Sequence, residues 1–325
     1  MIQRPSFKLR RINATNTQNI PQIIREINYF NLAQIADSGQ CFRMIPLPQS
    51  AFPESSPAGT TGYRIISGPC YLEIFQNGST ITARCSAHDF EYWIRYFDMD
   101  TDYGAMIDAI DPQDAYLKNA AAYGSGIRIL RQDVWEMIIT FIISQQKTIP
   151  KIREAIEALS RCYGTSYVNF RNETYYAFPT PQQLAAASED ELRGLKLGYR
   201  AKYIYQTCQD AVSGRIDLAR LGTLNYSDAM ASLMDIYGIG EKVANCVCLF
   251  GLHHIDAFPV DTWIQKILLR EYYRPEYDKL PKSKLFGTIV RENFGAYKGY
   301  SGVMQQYIFF YERAMQNKIQ TAAAV

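Results

Sequence analysis

The stretch Leu233-Met-Asp-Ile-Tyr-Gly-Ile-Gly-Glu-Lys-Val-Ala-Asn-Cys246 predicts two helices joined by a glycine turn. We expect the first helix to end at Gly238, because glycine adopts the left-handed C-cap conformation without strain. Gly240 then begins the second helix, whose free backbone N–H groups can bind a phosphate oxygen without reading a base. This helix-hairpin-helix pattern indicates DNA binding. The alternative is a helical corner in which the glycines serve only as caps.

A second motif, Ala257-Phe-Pro-Val-Asp-Thr262, places Asp261 nineteen residues after Lys242. Asp261 stands at a helix N-cap position, where such a side chain contributes about 1 kcal/mol. The helix that begins at Glu241 covers about 15 Å at ~1.5 Å per residue, and residues 251–260 can return the chain to its start. Asp261 can therefore face Lys242 across one cleft. A lysine in this position of a hairpin also serves as a simple phosphate contact, so that alternative stays open.

An amine beside a carboxylate suits the removal of a base from deoxyribose. Cleavage of the glycosidic bond builds positive charge on the sugar, and a nearby carboxylate stabilises that charge. A lysine can attack the anomeric carbon and form a Schiff base. The hairpin alone thus indicates DNA binding, whereas Lys242 together with Asp261 indicates catalysis.

The first hundred residues are rich in strand patterns. Asn77-Gly78 divides two strand-like runs within residues 71–84, and we expect positive φ at both of these turn positions. Further strands are predicted at residues 30–47 and 61–66. Residues 48–59, rich in Pro, Ser and Gly, are predicted to form a surface loop.

After about residue 100 the apolar spacing becomes helical. Helices are predicted at residues 133–145, 152–163, 181–196, 202–213, 228–237, 241–250, 262–272 and 304–316. The predicted fold is α+β, with an antiparallel, twisted N-terminal β-sheet domain packed on a two-part all-helical body that contains the hairpin. We assign residues 1–103 to the β-rich domain, residues 104–145 and 220–325 to the helical domain with the hairpin, and residues 146–219 to a second helical subdomain.

Composition excludes several other classes of protein. The 325 residues carry a net charge of only +2, so bulk charge does not indicate a nucleic-acid partner. Seven scattered cysteines, an odd number, fit a reducing compartment better than a disulfide scaffold. Three histidines, two of them adjacent, argue against a His-rich metal site. We expect no signal peptide and no membrane span, because no apolar run has the required length.

Several further segments accompany the two motifs and make the pattern specific. They are Ser38-Gly-Gln-Cys-Phe-Arg43, Gly126-Ile-Arg-Ile-Leu-Arg-Gln-Asp133, Leu197-Gly-Tyr-Arg-Ala-Lys-Tyr203 and Gly302-Val-Met-Gln-Gln-Tyr-Ile-Phe309. With them the chain resembles, over most of its length, the 8-oxoguanine DNA glycosylases of the helix-hairpin-helix (HhH-GPD) superfamily. The resemblance implies that Lys242 is the nucleophile and Asp261 the catalytic aspartate. Other branches carry a four-cysteine iron–sulfur cluster after that aspartate, but no cysteine follows Cys248 here.

The resemblance implies a lesion pocket built from four positions. The carbonyl of Gly39 would accept the hydrogen that 8-oxoguanine, unlike guanine, carries on N7. Phe309 and Cys246 would contact the two faces of the extruded base, and Gln305 would read its Watson–Crick edge. By residue type and spacing alone, Gly39 is a turn glycine, and Phe309 and Cys246 are core residues.

The resemblance also implies contacts with the rest of the duplex. Gln146 would fill the gap left by the flipped base, Tyr199 would wedge beside the orphaned base, and Arg200 would recognise cytosine. Lys151 stands where relatives have a second cytosine-reading arginine, and lysine lacks the planar donor fork. We therefore expect weaker discrimination for cytosine opposite the lesion. This departure, and Trp263 in place of the family's histidine, point to a bacterial-type branch.

In the hairpin, Gly238 and Gly240 would allow a DNA phosphate to approach the backbone. The backbone carbonyls of Met234, Ile236 and Ile239 could hold a structural cation. No metal ligand set and no redox or nucleotide cofactor is expected for the reaction itself.

The predicted function is that of a bifunctional DNA glycosylase/AP lyase that excises 8-oxoguanine from duplex DNA. Its predicted partner is double-stranded DNA containing 8-oxoguanine. We expect a monomer that acts in the cytoplasm in association with the nucleoid. Two alternatives remain open at this point: a glycosylase of the same superfamily for alkylated bases, and a non-catalytic DNA-binding protein.

Overall fold

The computed structural model describes the backbone of residues 10–11 and 22–323 and the side chains of residues 22–316. Its main sheet is antiparallel and six-stranded, with the order β1-β2-β6-β5-β4-β3, and a separate two-stranded sheet pairs β7 with β8. The strands are β1 Arg10–Arg11, β2 Gln22–Glu26, β3 Met44–Pro46, β4 Thr61–Ser67, β5 Cys70–Asn77, β6 Thr80–Arg84, β7 Ser166–Val168 and β8 Thr174–Tyr176.

Fifteen α-helices account for most of the remaining described chain. They are α1 Leu32–Asp37, α2 Phe90–Tyr96, α3 Tyr103–Asp108, α4 Ala115–Tyr123, α5 Val134–Ser144, α6 Ile149–Tyr163, α7 Pro181–Leu184, α8 Glu189–Leu192, α9 Arg200–Val212, α10 Leu218–Leu221, α11 Tyr226–Met234, α12 Glu241–Phe250, α13 Thr262–Glu271, α14 Lys282–Phe294 and α15 Ser301–Ala323. None of the helices in the described part of the chain is both long enough and apolar enough to cross a membrane.

The described chain has two large hydrophobic cores and a small third cluster around Ile66, Tyr71 and Tyr175. The first lies under the main sheet and is formed by residues between Phe30 and Met99, together with Leu130. The second fills the helical part, from Tyr103 to Ile308, and includes Phe42 from the N-terminal part. Helix α5 lies at the centre of this second core, because all its residues except the two at its ends are buried. The predicted α+β architecture of a sheet domain packed on helices is confirmed.

The structure corrects three details of the strand and turn predictions. The predicted strand at residues 30–47 is largely wrong, because Asn31 caps the short helix α1 through its side chain and only β3 is extended there. The 71–84 hairpin is confirmed as β5 and β6, but its turn residues are Gly78 and Ser79, since Asn77 pairs with Thr80. Among the described residues of this turn only Gly78 has a positive φ, of +57°. The helical body also contains the short β7–β8 hairpin, which was not predicted from the sequence.

Two helix predictions also need correction. The predicted helix at residues 181–196 is interrupted, because Ser188 forms a capping box with Glu191 and starts α8 as a separate helix. The helix before the hairpin ends at Met234 and not at Gly238, and a turn fills the interval. The second hairpin helix, α12, has the predicted bounds.

Candidate active site

Lys242 lies in the first turn of α12, two residues after the N-cap residue Gly240. Its ammonium nitrogen is 5.5 Å from the ring centroid of Phe141, a buried residue of α5. One helical turn further along α12, the buried thiol of Cys246 lies within electrostatic range of Lys242. Lysine, aromatic ring and thiol thus form one cluster at the start of the second hairpin helix.

The buried thiol of Cys246 relates Lys242 to Asp261. Burial raises the pKa of the Cys246 thiol, while the charge of Lys242 lowers it and the charge of Asp261 raises it. Both charged groups therefore lie within electrostatic range of the same sulfur atom. Among the ion pairs of the described residues there is none between Lys242 and Asp261 within 4.0 Å. Because its pKa is raised, the thiol is neutral at pH 7.

Asp261 is fixed by the helix that it caps. Its Oδ1 accepts hydrogen bonds from the backbone N–H groups of Trp263 at 3.0 Å and Ile264 at 2.8 Å. The capping interpretation is therefore correct, and it is compatible with catalysis. The cap orients the carboxylate through one oxygen, and no described residue donates a hydrogen bond to Oδ2.

The loop before Asp261 is tied to the start of α15. Asp256 Oδ1 accepts hydrogen bonds from Ser301 Oγ at 2.8 Å and from the backbone N–H of Gly299 at 3.0 Å. A Cβ on Gly302 would lie 2.2 Å from the carbonyl oxygen of Ala257, so only glycine permits this close approach. These contacts fix the loop that leads to Asp261 relative to α15.

Helix α15 contains two of the predicted lesion contacts, Gln305 and Phe309. Gln305 contacts this loop, and Phe309 contacts the N-terminal domain. Buried Gln305 donates from Nε2 to the carbonyl oxygen of Pro259 at 3.2 Å, two residues before Asp261. One turn later, Phe309 lies against Gly39, where an added Cβ would be 3.3 Å from the ring. Gly39 has φ +81°, a second reason why only glycine fits there.

The turn that contains Gly39 is held by the neighbouring Gln40. Its Nε2 donates to Ser38 Oγ and to the carbonyl oxygen of Arg128, each at 2.8 Å, and its Oε1 accepts from the N–H of Leu130 at 2.8 Å. No described residue donates a hydrogen bond to the carbonyl oxygen of Gly39. That oxygen is therefore available as an acceptor in a turn of fixed shape.

The hairpin itself is shaped by Gly238. Its φ is +89°, and a Cβ there would lie 2.5 Å from the ring of Tyr203 in α9. In contrast, a Cβ on Gly240 would meet nothing within 4 Å, so this side of the hairpin is open. Of the three carbonyls considered for a cation, that of Ile236 accepts the N–H of Ile239 at 3.0 Å.

Gln145, at the end of α5, was not singled out from the sequence. Its side chain donates to the carbonyl oxygen of Gly238 at 3.0 Å, and its own carbonyl oxygen accepts two hydrogen bonds from the guanidinium of Arg200. The residue thus joins the hairpin to the predicted cytosine reader. Its polar character beside Gln146 was the only signal, and it does not reveal either long-range partner.

The predicted contacts for the opposite strand cluster around the same point. Exposed Tyr199 lies over the guanidinium of Arg200 at 4.4 Å, and exposed Gln146 has a left-handed backbone with φ +50°. The ammonium group of Lys151 pairs with Glu154 at 2.8 Å on the exposed face of α6. The structure therefore brings together Gln146, Tyr199, Arg200 and the hairpin, while Lys151 is engaged by Glu154.

Fold and site together define a protein of the helix-hairpin-helix base excision repair class. Residues 22–138 match the family of the 8-oxoguanine DNA glycosylase N-terminal domain. Residues 139–283 match the family of HhH-GPD superfamily base excision DNA repair proteins. The two matches meet within helix α5.

Similar proteins agree with this class. An 8-oxoguanine glycosylase/lyase from Clostridium acetobutylicum, solved with double-stranded DNA containing cytosine opposite to 8-oxoG, is 30% identical, with a TM-score of 0.82 over 97% of this chain and 100% of that chain. MBOgg1, solved with a low affinity DNA ligand, is 31% identical, with a TM-score of 0.80 over 96% of this chain and 99% of that chain. The chain belongs to the 8-oxoguanine DNA glycosylase family.

Curated relatives are longer than the matched region. The N-glycosylase/DNA lyase of Saccharomyces cerevisiae is 33% identical over 214 residues, which are 59% of this chain and 56% of that protein. The chain thus spans little more than half the length of the curated relatives it matches.

Proposed function

We propose that this protein excises 8-oxoguanine from duplex DNA and then cleaves the strand at the abasic site. One observation carries the proposal: the charges of Lys242 and Asp261 both lie close enough to the buried thiol of Cys246 to shift its pKa. The loop before Asp261 is also bonded to α15, the helix that bears Gln305 and Phe309. An amine, a carboxylate and an aromatic face within one site suit the removal of a base from deoxyribose. The named activities of the similar glycosylase/lyases support the same reaction.

In the proposed reaction, the lone pair of Lys242 Nζ forms a bond to C1′ of the damaged nucleotide. The C1′–N9 bond breaks, and the carboxylate of Asp261 stabilises the positive charge that develops on the sugar. The C1′–O4′ bond then breaks as the nitrogen lone pair forms the C1′=N bond, and O4′ takes up a proton from solvent, which leaves a Schiff base between Lys242 and C1′. The Schiff base acidifies the C2′ proton, whose loss expels the 3′ phosphate by β-elimination. These steps need no cofactor, because lysine supplies the nucleophile.

The base itself would be recognised in an extruded conformation. The free carbonyl oxygen of Gly39 would accept the N7 hydrogen of 8-oxoguanine and would repel the N7 lone pair of guanine. Phe309 and the neutral thiol of Cys246 would contact the two faces of the base. Gln305, already held by Pro259, would read the Watson–Crick edge.

Gln146 would fill the gap left by the flipped base, Tyr199 would wedge beside the orphaned base, and Arg200 would recognise cytosine. Gly238 and Gly240 would allow a DNA phosphate to approach the backbone of the hairpin. In this proposal Arg200 exchanges its hydrogen bonds to Gln145 for cytosine. Lys151 would contribute a weak contact in the position of a second reader.

Several coarser features belong to the same proposal. Residues 1–103 form the β-rich domain, residues 104–145 and 220–325 the hairpin domain, and residues 146–219 the second helical subdomain. The protein acts as a monomer on double-stranded DNA containing 8-oxoguanine, with a bacterial-type, nucleoid-associated location. A cation at the backbone carbonyls of Met234, Ile236 and Ile239 would be structural only.

Borohydride trapping on duplex DNA that carries 8-oxoguanine tests the function. Wild-type protein is expected to form a covalent DNA adduct, and Lys242→Gln is expected to form none while still binding the duplex. Asp261→Asn is expected to trap more slowly with similar DNA affinity. Trapping only on alkylated substrates would favour the alternative glycosylase, and binding without any adduct would favour a non-catalytic protein.

A further inference from the structure

Helix α15 presents a third residue, Arg313, on the face that bears the predicted lesion contacts Gln305 and Phe309. Gln305, Phe309 and Arg313 follow at intervals of four residues, so their side chains lie on one side of the helix. The guanidinium carbon of Arg313 is 5.5 Å from the ring centroid of Phe309. A Cβ on Gly39 would lie 3.5 Å from Arg313 Nη1. Arg313 is thus located where Phe309 meets the turn that contains Gly39.

The guanidinium of Arg313 is only partly used by the protein. Its Nη1 donates to the carbonyl oxygen of Asp37 at 2.8 Å, whereas Nε and Nη2 have no acceptor among the described residues. Burial lowers the pKa of Arg313, Asp37 raises it, Arg153 lowers it and Asp261 raises it. Asp261 is therefore close enough to interact with this cation. An arginine remains charged at neutral pH even in such surroundings.

The proposed reaction leaves one charge without a partner. When the C1′–N9 bond breaks, its electron pair leaves with the purine, and the negative charge spreads from N9 to the carbonyl oxygens. Asp261 faces the positive sugar, but Gly39 offers only an acceptor, and Phe309 and Cys246 offer uncharged surfaces. A fixed cation beside the base would lower the barrier, because electrostatic stabilisation of developing charge is a large catalytic effect.

We propose that Arg313 is a further catalytic residue, whose guanidinium contacts the carbonyl edge of the extruded base and stabilises the departing 8-oxoguanine anion. The inference rests on the proposed function and adds a role in its first step only. The proton that Lys242 Nζ loses after bonding to C1′ neutralises the purine before its release. Arg313 itself stays charged throughout and transfers no proton.

A purely structural role for Arg313 predicts a different behaviour. Arg153 also approaches the end of α1, where its Nη2 is 3.5 Å from the carbonyl oxygen of Ala36. Both arginines therefore anchor the same turn, but among the described contacts only Arg313 lies beside Phe309 and Gly39. Arg153→Met is thus a matched control for loss of anchoring.

The experiment measures two single-turnover rates for each variant of the full chain. One is the release of 8-oxoguanine from duplex DNA, and the other is strand cleavage at a preformed abasic site, which has no base to expel. Arg313→Met is expected to slow base release by about ten- to a hundred-fold and to leave abasic-site cleavage within about two-fold of wild type. Arg313→Lys is expected to recover part of the loss, and Arg153→Met to slow base release by less than about three-fold.

Three outcomes would overturn the inference while leaving the proposed function intact. They are unchanged base release in Arg313→Met, an equal loss of both rates, or an equal loss in Arg153→Met. Thermal unfolding of each variant identifies misfolding. If Arg313→Met does not fold, the two rates of Arg313→Lys are compared with those of wild type instead. A wild-type protein that releases no 8-oxoguanine would overturn the function and the inference together.

Discussion

At the scale of single residues, the proposed function makes Lys151 the residue that sets how strictly the opposite base is read. Its ammonium group is exposed and paired with Glu154, which also pairs with Lys196 at 3.3 Å. The two lysines lower the pKa of the Glu154 carboxyl, so it stays ionised and competes with DNA for both of them. Lys151 is therefore a weaker reader than a guanidinium in the same position.

We expect the protein to excise 8-oxoguanine opposite all four bases, with only a modest preference for cytosine. Each bidentate contact to a base is worth about 1–3 kcal/mol of discrimination, and the proposed function gives this chain one arginine reader, Arg200. Lys151→Arg is expected to raise the preference for cytosine by about five- to ten-fold. Single-turnover excision rates opposite C, A, G and T measure this. Strict dependence on cytosine in the wild-type protein would contradict the prediction.

Sequence reasoning at this scale found residues whose chemistry is local and missed those defined by distant contacts. Lys242 and Asp261 could be paired because a ten-residue helix and a loop of known length separate them. Gln145 and Arg313 could not be found, since their partners lie at Gly238 and Asp37, far away along the chain. A polar side chain at a helix end is compatible with simple solvation, and only the tertiary structure distinguishes the two cases.

At the scale of elements, the hairpin depends on two glycines for different reasons. Gly238 needs its left-handed backbone and the absent side chain, because Tyr203 occupies the adjacent space. Gly240 has φ −98° and an open surround, so the protein itself places no steric demand on it. If Gly240 is glycine for the sake of a ligand, the reason is the close approach of a phosphate to the backbone.

We therefore expect Gly238→Ala and Gly240→Ala to separate stability from binding. Gly238→Ala combines strained backbone with a clash and should lower the free energy of unfolding by about 3 kcal/mol. Gly240→Ala should cost at most about 1 kcal/mol, as alanine is a poorer N-cap, but should weaken duplex binding about ten-fold or more. Thermal unfolding and DNA titrations of both variants provide the test. Unchanged affinity for duplex DNA in Gly240→Ala would contradict the prediction that a DNA phosphate contacts the backbone at Gly240.

The helices that the sequence predicted well are those with long regular apolar faces. The bounds of α12 were correct, whereas 181–196 was predicted as one helix. In that segment a capping box at Ser188 stops the first helix although the apolar spacing continues. The strand predicted at residues 30–47 failed for a related reason. Six residues of α1 show too short a pattern to distinguish a buried helix from a strand.

At the scale of the whole molecule, the sheet domain contributes to the active site through its contacts with the helical body. Although burial raises the pKa of Asp98, hydrogen bonds from His253 and Arg131 lower it below its usual range. His253 belongs to the loop that follows α12, and Arg131 precedes α5, so this carboxylate joins three segments around the site. Together with the contacts of Gln40, these bonds fix Gly39 relative to Lys242.

The buried carboxyl of Glu136, where the sheet domain meets the helical body, lowers the stability of the folded protein at high pH. Glu136 lies in the first turn of α5, and burial raises its pKa to about 7, with Arg43 lowering it and Asp133 and Glu157 raising it. The folded protein therefore binds a proton that the unfolded chain releases near the ordinary value of 4.5. Stability from this residue is complete below pH 4.5 and is lost as the pH rises to about 7.

Glu136→Gln should remove this loss, because the amide has the shape of the carboxyl group but never ionises. At about 1.4 kcal/mol per pKa unit, we expect the variant to be about 3 kcal/mol more stable than wild type at pH 8 and equal to it at pH 4.5. Urea unfolding at both pH values measures the difference. Glu154→Gln, measured at pH 6 and at pH 8, is the matched control: its carboxyl is exposed and its pKa is lowered, so the effect of this substitution on stability should be the same at these two pH values. Equal stability of Glu136→Gln and wild type at pH 8 would mean that the buried carboxylate is compensated, with Arg43 as the nearest cation able to do so.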